Sequence, residues 1–293
     1  MPRIRPSTIW EAHRLHKALP LLLPECRAIP IALQELQWIR NELGDKKYKI
    51  WKSCRLRYHR YPLQYILGTQ PFGPLEIDCR PGVLIPRWET EEWALDLAHR
   101  LPPDKNLQVL DLCTGTGCIP LLIKRLRPQF AVGAIECSPV AVKLASQNAE
   151  KLGIHIDICT EDVLKCPPLP HKVDFITCNP PYISRSSFVG DTAKSVQLFE
   201  PKLALIGSLE FYENLCDFWI HQIEAFAYEV GTLSQCRYVE SRIAADPALR
   251  EQWRVGTKKD SNNKERVVYG YKTISAKGID WHTLFRGFGG PTC

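Results

Sequence analysis

The chain has 293 residues, 45% hydrophobic and 24% charged, with a net charge of +6. That length holds one large domain beside a small one, or two of middling size, and the balance is that of a folded globular protein rather than a disordered or fibrous one. No apolar run reaches the ~18 residues of a membrane-spanning helix, and no Lys/Arg block stands out as a nucleic-acid patch.

The first thirty residues carry Arg3, Arg5, Arg14, Lys17 and Arg27 against only Glu11 and Glu25. This resembles a mitochondrial transit segment, and a basic first helix of the mature fold accounts for it nearly as well. Residues 1–62 have helical spacing, with Leu33, Leu36, Ile39 and Leu43 on one face and Gly44-Asp45 as a stop. They read as a small helical domain for docking. From 63 to 86, Gly68, Pro71, Gly73, Pro74, Pro81 and Gly82 break up short apolar runs. There Leu75-Glu76-Ile77-Asp78 alternates like an exposed strand, which predicts a hairpin or linker. A helix with an acidic first turn then runs from Pro86-Arg87-Trp88 towards Arg100.

Residues 87–293 read as the larger, α/β domain. Leu107–Leu112 reads as a buried strand, Cys113-Thr114-Gly115-Thr116-Gly117 as a tight loop and 118–127 as a helix. A second strand, Ala131–Ile135, ends in Glu136. Ser138-Pro139 then cap and open a helix that Gly153 closes. A third strand, His155–Cys159, leads to Glu161-Asp162. A fourth, Val173–Cys178, delivers Asn179-Pro180-Pro181-Tyr182. Phe226–Val230 reads as a fifth strand and 231–245 as a helix. The runs at 253–255 and 266–269, around the polar turn at 260–263, read as a closing antiparallel hairpin.

Twelve cysteines invite a metal or disulfide reading, yet none has C-x-x-C spacing. Free, buried thiols in a reducing compartment fit better than a zinc site, so no metal is expected. The glycine loop and the Asn-Pro-Pro-Tyr tetrapeptide are each weak alone. In order, with acids at the strand ends between them, they point to an adenosine-bearing cofactor. An acid after the second strand suits a ribose, and a carboxylate near 161–162 suits an adenine amino group. Gly115-Thr116-Gly117-Cys118-Ile119-Pro120 lacks the third glycine of a dinucleotide fingerprint, and no P-loop occurs. S-adenosylmethionine needs no pyrophosphate cradle. Asn179 supplies an amide that donates and accepts, the prolines stiffen the backbone and Tyr182 adds a flat face, a set suited to holding a planar amide or aminopurine edge.

Asp111–Gly117, Glu136, Asp162 and Asn179–Tyr182 resemble class I methyltransferases that act on planar nitrogens. Gln64-Tyr65-Ile66-Leu67-Gly68, Leu84-Ile85-Pro86-Arg87 with Thr90-Glu91, Glu200-Pro201 with Leu203-Ala204-Leu205 and Gly207, and Glu229-Val230-Gly231 resemble the HemK/PrmC family more closely. That family methylates the glutamine of the Gly-Gly-Gln loop in class I peptide chain release factors. The resemblance implies an α/β fold: a Rossmann-like, seven-stranded mixed sheet of the S-adenosylmethionine-dependent class, with a small N-terminal helical domain. It implies that Cys113, Thr114, Gly115, Thr116 and Gly117 wrap the methionine part of the cofactor, that Glu136 holds the ribose, that Asp162 and Val163 lie by the adenine, and that Asn179 also touches the cofactor. Asn179, Pro180, Pro181 and Tyr182 would hold the glutamine: Asn179 Oδ1 and the Pro180 carbonyl would accept its amide hydrogens, and Tyr182 would pack on its plane. The basic start suggests the mitochondrial member, in the matrix, with a cytoplasmic site as the alternative. Cys113 stands where the family has glycine, which is tolerable only without a positive φ, and Trp88 replaces a proline. A glutamine methyltransferase of a ribosomal protein and an adenine-N6-type nucleic-acid methyltransferase are the rival readings. No direct nucleic-acid contact and no membrane contact are expected.

Overall fold

A computed structural model describes residues 3–44, 46–168 and 172–291; Asp45, named above, and Cys293, one of the twelve cysteines, lie outside the described residues. The N-terminal part is helical throughout: α1 (Pro6–Leu15), α2 (Leu23–Cys26), α3 (Ile29–Leu43), α4 (Lys47–Tyr58) and α5 (Leu63–Leu67). Proline opens each of the first three, where its missing N–H is no loss. They share a core that includes Ala12, Leu22, Leu36, Ile39 and Cys54. The face predicted on α3 is rotated in part. Leu36 and Ile39 are buried, but Leu33 is exposed and Ala32 and Glu35 point inward. Glu35 is tolerated there because Arg57 on α4 grips its carboxylate with two hydrogen bonds of 2.9 Å. Helix α4 also gathers Lys47, Lys49, Lys52 and Arg55 as exposed residues, a basic face the sequence reading did not single out.

β1 (Thr69–Phe72) and β2 (Leu75–Asp78) pair as an antiparallel hairpin. The second strand is half-buried rather than exposed: Leu75 and Ile77 enter the main core beside Phe72 and Trp93, leaving Glu76 outside. Then follow α6 (Trp88–Arg100), β3 (Gln108–Leu112), α7 (Cys118–Leu126), β4 (Ala131–Glu136), α8 (Pro139–Leu152), β5 (Asp157–Thr160) and β6 (Phe175–Cys178). The rest comprises α9 (Arg185–Gly190), α10 (Lys194–Phe199), α11 (Glu210–Asp217), β7 (Ala225–Glu229), α12 (Leu233–Ala245), α13 (Pro247–Gln252), β8 (Trp253–Lys259), β9 (Glu265–Lys272), α14 (Trp281–Phe285) and the two-residue β10 (Gly290–Pro291).

The main sheet runs β10-β8-β9-β7-β6-β3-β4-β5, seven strands plus the short edge β10. β3 to β7 are parallel, and β8, β9 and β10 join antiparallel. Side chains alternate across it, as the two-residue period of a strand requires. Val109, Phe175, Ala225 and Ala227 face α6, α7 and α14, while Leu110, Ile176, Phe226 and Tyr228 face α11 and α12. Both faces are covered, which is why the central strands read as continuous apolar runs. Helix α8 has the caps the sequence predicts, with the Ser138 hydroxyl accepting from Ala141 N–H and Gly153 left-handed at its end. Helix α12 begins later than predicted because Thr232 and Gln235 form a capping box, and Gln235 Oε1 takes the Gly231 and Thr232 N–H groups. No helix among the described residues is long and apolar enough to cross a membrane.

Candidate active site

Chain order reverses between β3 and β6: β4 and β5 extend the sheet to one side, β6 and β7 to the other. Ligands of open α/β sheets settle at the carboxyl ends of strands at such a switch. A cleft of about 1130 Å³, counting its open mouth, lies there. Its lining brings together Cys113, Thr114, Gly115 and Thr116 after β3, Glu136 after β4, Asp162 and Val163 after β5, and Asn179 and Pro181 after β6. Gly117, Pro180 and Tyr182 are outside that lining.

Asp111, one residue before the end of β3, is fully buried. Thr177 donates to its Oδ1 at 2.6 Å, and its Oδ2 has no partner. Burial pushes its carboxyl up to about 7, against the pull of the Thr177 hydroxyl and of the nearby Thr114 hydroxyl. The buried Thr114 hydroxyl lies close to that carboxyl without a hydrogen bond of normal geometry. Glu136 is anchored by Gly115 N–H on Oε2 and Ser138 N–H on Oε1, both at 2.9 Å. Cys137 Sγ also donates to Oε1, at 3.7 Å, so Oε2 is the oxygen that keeps a second acceptor position for a ligand. Asp162 caps the turn that follows it by accepting from Leu164 N–H. Cys113, Gly115 and Gly117 all take positive φ, at 56°, 58° and 80°. The condition attached to Cys113 is therefore not met: a residue with a Cβ occupies a left-handed position, at a cost of roughly 1–2 kcal/mol.

The opposite wall is the segment 82–87. Its backbone is tied down by Glu200, which accepts from Ile85 N–H at 3.1 Å and from Arg87 at 2.7 Å. Tyr65 donates to the Val83 carbonyl at 2.7 Å. With Pro201, Leu203 and Ala204 this segment gives the cleft an apolar side. Trp88 opens α6 half-exposed, and nothing in the structure explains it in place of proline.

Asn179 donates through Nδ2 to Thr90 Oγ1 at 3.2 Å. Thr90 donates to Glu229 Oε2 at 2.6 Å, Trp93 Nε1 donates to the same oxygen at 2.8 Å, and Tyr182 donates to Oε1 at 3.0 Å. Glu229 is fully buried. Burial pushes its titration above the ordinary carboxylate range, and the donors from Thr90, Trp93 and Tyr182, with Arg266 nearby, hold it back towards the charged form. Tyr182 is thus tied behind the tetrapeptide rather than facing the cleft, with its ring against Gly231, where a Cβ would come within 2.7 Å of it. Gly207 is constrained more tightly still: its Cβ would lie 2.0 Å from the Pro181 carbonyl oxygen. These contacts explain why glycine stands at 207 and 231. The roles of Thr90, Glu200 and Glu229 rest on partners distant in sequence and have no local signal. Asp111 has a signal of its own, an acid inside a buried strand.

The donor set discriminates between ligands. Among the described residues, Arg87 is the only cation lining the cleft, and Glu200 neutralises it. Glu136, Glu161 and Asp162 line the cleft; Asp111, with Oδ2 unpartnered, is buried outside that lining. A polyphosphate finds no free positive charge here. An adenosine carrying a cationic tail finds acids. The eleven described cysteines are all unbridged.

A family model described as "Methyltransferase small domain" matches residues 94–198. Mitochondrial MRF1 N(5)-glutamine methyltransferase MTQ1 of Saccharomyces cerevisiae is 43% identical, over 99% of this chain and 95% of that protein. A release factor glutamine methyltransferase of Mycolicibacterium smegmatis is 41% identical over 52% of this chain and 53% of its own length. Among solved structures, the N-terminal domain of human METTL16 superposes with a TM-score of 0.52 at 17% identity, covering 82% of this chain and 94% of that one. This last likeness is one of fold.

Proposed function

Because the chain belongs to the family of release factor glutamine methyltransferases, we propose that its substrate is the Gly-Gly-Gln loop of a mitochondrial class I release factor, modified in the mitochondrial matrix. The enzyme is an S-adenosylmethionine-dependent protein-glutamine N-methyltransferase. When bound, S-adenosylmethionine supplies an electrophilic methyl on a positively charged sulfur.

The 113–117 loop and Asp111 receive the charged methionine end, Glu136 the ribose, and Asp162 with Val163 the adenine. Asn179 Oδ1 and the Pro180 carbonyl accept the two hydrogens of the glutamine amide, which leaves its nitrogen lone pair aimed into the cleft. Pro181 lines the same wall and Tyr182 stiffens the tetrapeptide from behind. A neutral amide is a poor nucleophile because its lone pair is delocalised, and among the described residues no histidine or lysine lines the cleft to act as a base, so the amide proton that the methyl replaces leaves to water. Orientation therefore does most of the work, an effect that can reach on the order of 7–11 kcal/mol.

The observation that carries this reading is that Asn179 shares one cleft with the glycine loop, Glu136 and Asp162. Residues 1–62 dock the release factor, 63–86 connect, and 87–293 carry the transfer. Supporting the docking role, the helical part exposes Trp10, Trp38, Tyr48 and Trp51 and touches the segment beside the cleft through Ser195–Arg60 and Tyr61–Phe199 contacts. The test is incubation with methyl-labelled S-adenosylmethionine and the release factor beside its Gly-Gly-Ala variant. Label in the first and none in the second supports the proposal, and equal label in both overturns it.

A further inference from the structure

Glu229 grips both ends of the tetrapeptide, Tyr182 directly and Asn179 through Thr90. The count of protons along this chain fixes a direction. A carboxylate has none to donate, so the hydrogen bond of 2.6 Å between Thr90 and Glu229 uses the only hydroxyl proton Thr90 has. Towards Asn179, Thr90 can then only accept. The half of the Asn179 amide that faces Thr90 must be its NH2, and its carbonyl oxygen is turned the other way, into the cleft. Trp93 Nε1 on the same carboxylate oxygen and Tyr182 on the other leave Glu229 no freedom to rotate.

We propose that Thr90 and Glu229 are positioning residues that set the amide orientation of Asn179, so that the oxygen and not the NH2 meets the substrate amide. The inference rests on the role assigned to Asn179 above. Without the chain, the two orientations of Asn179 are close to equivalent, and one of them presents two donors to a substrate group that is itself a donor. Thr90 comes from the first turns of α6 and Glu229 from the last residue of β7, 139 residues further on. The device therefore exists only in the folded chain.

The test is a set of variants in the full-length enzyme: Thr90→Val, Thr90→Ser, Asn179→Ala and the double variant, each assayed for methyl transfer to the release factor and for S-adenosylmethionine affinity by calorimetry. Thr90→Val is expected to lower kcat at least about thirtyfold while cofactor affinity stays within about threefold, since a small misplacement of an orienting group can cost about a hundredfold. Thr90→Ser restores the hydroxyl and is expected to recover most of the rate. In the Asn179→Ala background, Thr90→Val is expected to cost almost nothing more, because its effect passes through Asn179. Should Thr90→Val melt too early to assay, Thr90→Ala, which also removes the hydroxyl, carries the same test with the same expected loss. Wild-type kcat in Thr90→Val, equal damage from Val and Ser, or full additivity in the double variant would overturn the inference. If Asn179→Ala itself turns over normally, the reading of Asn179 falls with it; if only the Thr90 variants are silent, the relay alone falls.

Discussion

Gly207→Ala is expected to disable the enzyme while leaving its fold standing. The new Cβ would sit 2.0 Å from the Pro181 carbonyl oxygen and 2.7 Å from its carbon. Carbon contacts settle near 3.5 Å, so either the 205–207 segment or Pro181 must move by ~1 Å or more. The bridge between them goes first: Ile183 N–H to the Leu205 carbonyl at 2.9 Å, and Gly207 N–H to the Ile183 carbonyl at 3.1 Å. At about 1 kcal/mol each, the loss is ~2 kcal/mol of stability, a fall in Tm of several degrees. The larger effect is on turnover. Pro181 is two residues from Asn179, and a displacement of ~1 Å at an orienting group costs on the order of a hundredfold, or ~2.7 kcal/mol in the barrier. Labelled methyl transfer to the release factor, with a thermal melt of the same sample, measures both. Gly190→Ala is the control, because no atom lies within 4 Å of its added carbon. Turnover of Gly207→Ala within about threefold of the control would refute the reasoning.

Cys113→Gly is expected to be more stable than Cys113→Ala by about 1 kcal/mol, since both remove the thiol and only glycine relieves a φ of 56°; urea denaturation reads the difference, and the opposite order contradicts it. Asp111 gives a pH signature in the cofactor-free enzyme. Its folded titration near 7 lies above the unfolded value near 3.9, so the folded state holds the proton more tightly, and its contribution to stability is lost as pH rises between those values. Relative to Asp111→Asn, wild type should lose up to ~4 kcal/mol over that window, and a flat difference would show that Asp111 is not so placed. A cationic ligand favours the ionised carboxylate, so S-adenosylmethionine affinity is expected to rise with pH over the same range, as calorimetry can show.

Much of the fold could be read because its signals are local. The strands that carry the cleft are buried on both faces and so appear as unbroken apolar runs, and α8 has its cap and stop written at Ser138 and Gly153. Glycine loop, acids and tetrapeptide fall at strand ends, and the sheet order gathers them. Distant partners could not be read. Glu35 points inward because Arg57 meets it from 22 residues away, which no amphipathic pattern on α3 reveals. The positive φ of Cys113 is set by the loop it belongs to, not by its own preference. Nor does the tetrapeptide reveal that the Tyr182 hydroxyl is held by Glu229, 47 residues on.

The most direct measurement is mass spectrometry of the Gly-Gly-Gln peptide from a release factor treated with wild-type enzyme or with Asn179→Ala. With the wild type, one methyl group should sit on the side-chain nitrogen of that glutamine, and Asn179→Ala should lower its rate of appearance at least about a hundredfold. A methyl group on another atom, or an undiminished rate without Asn179, would contradict the account.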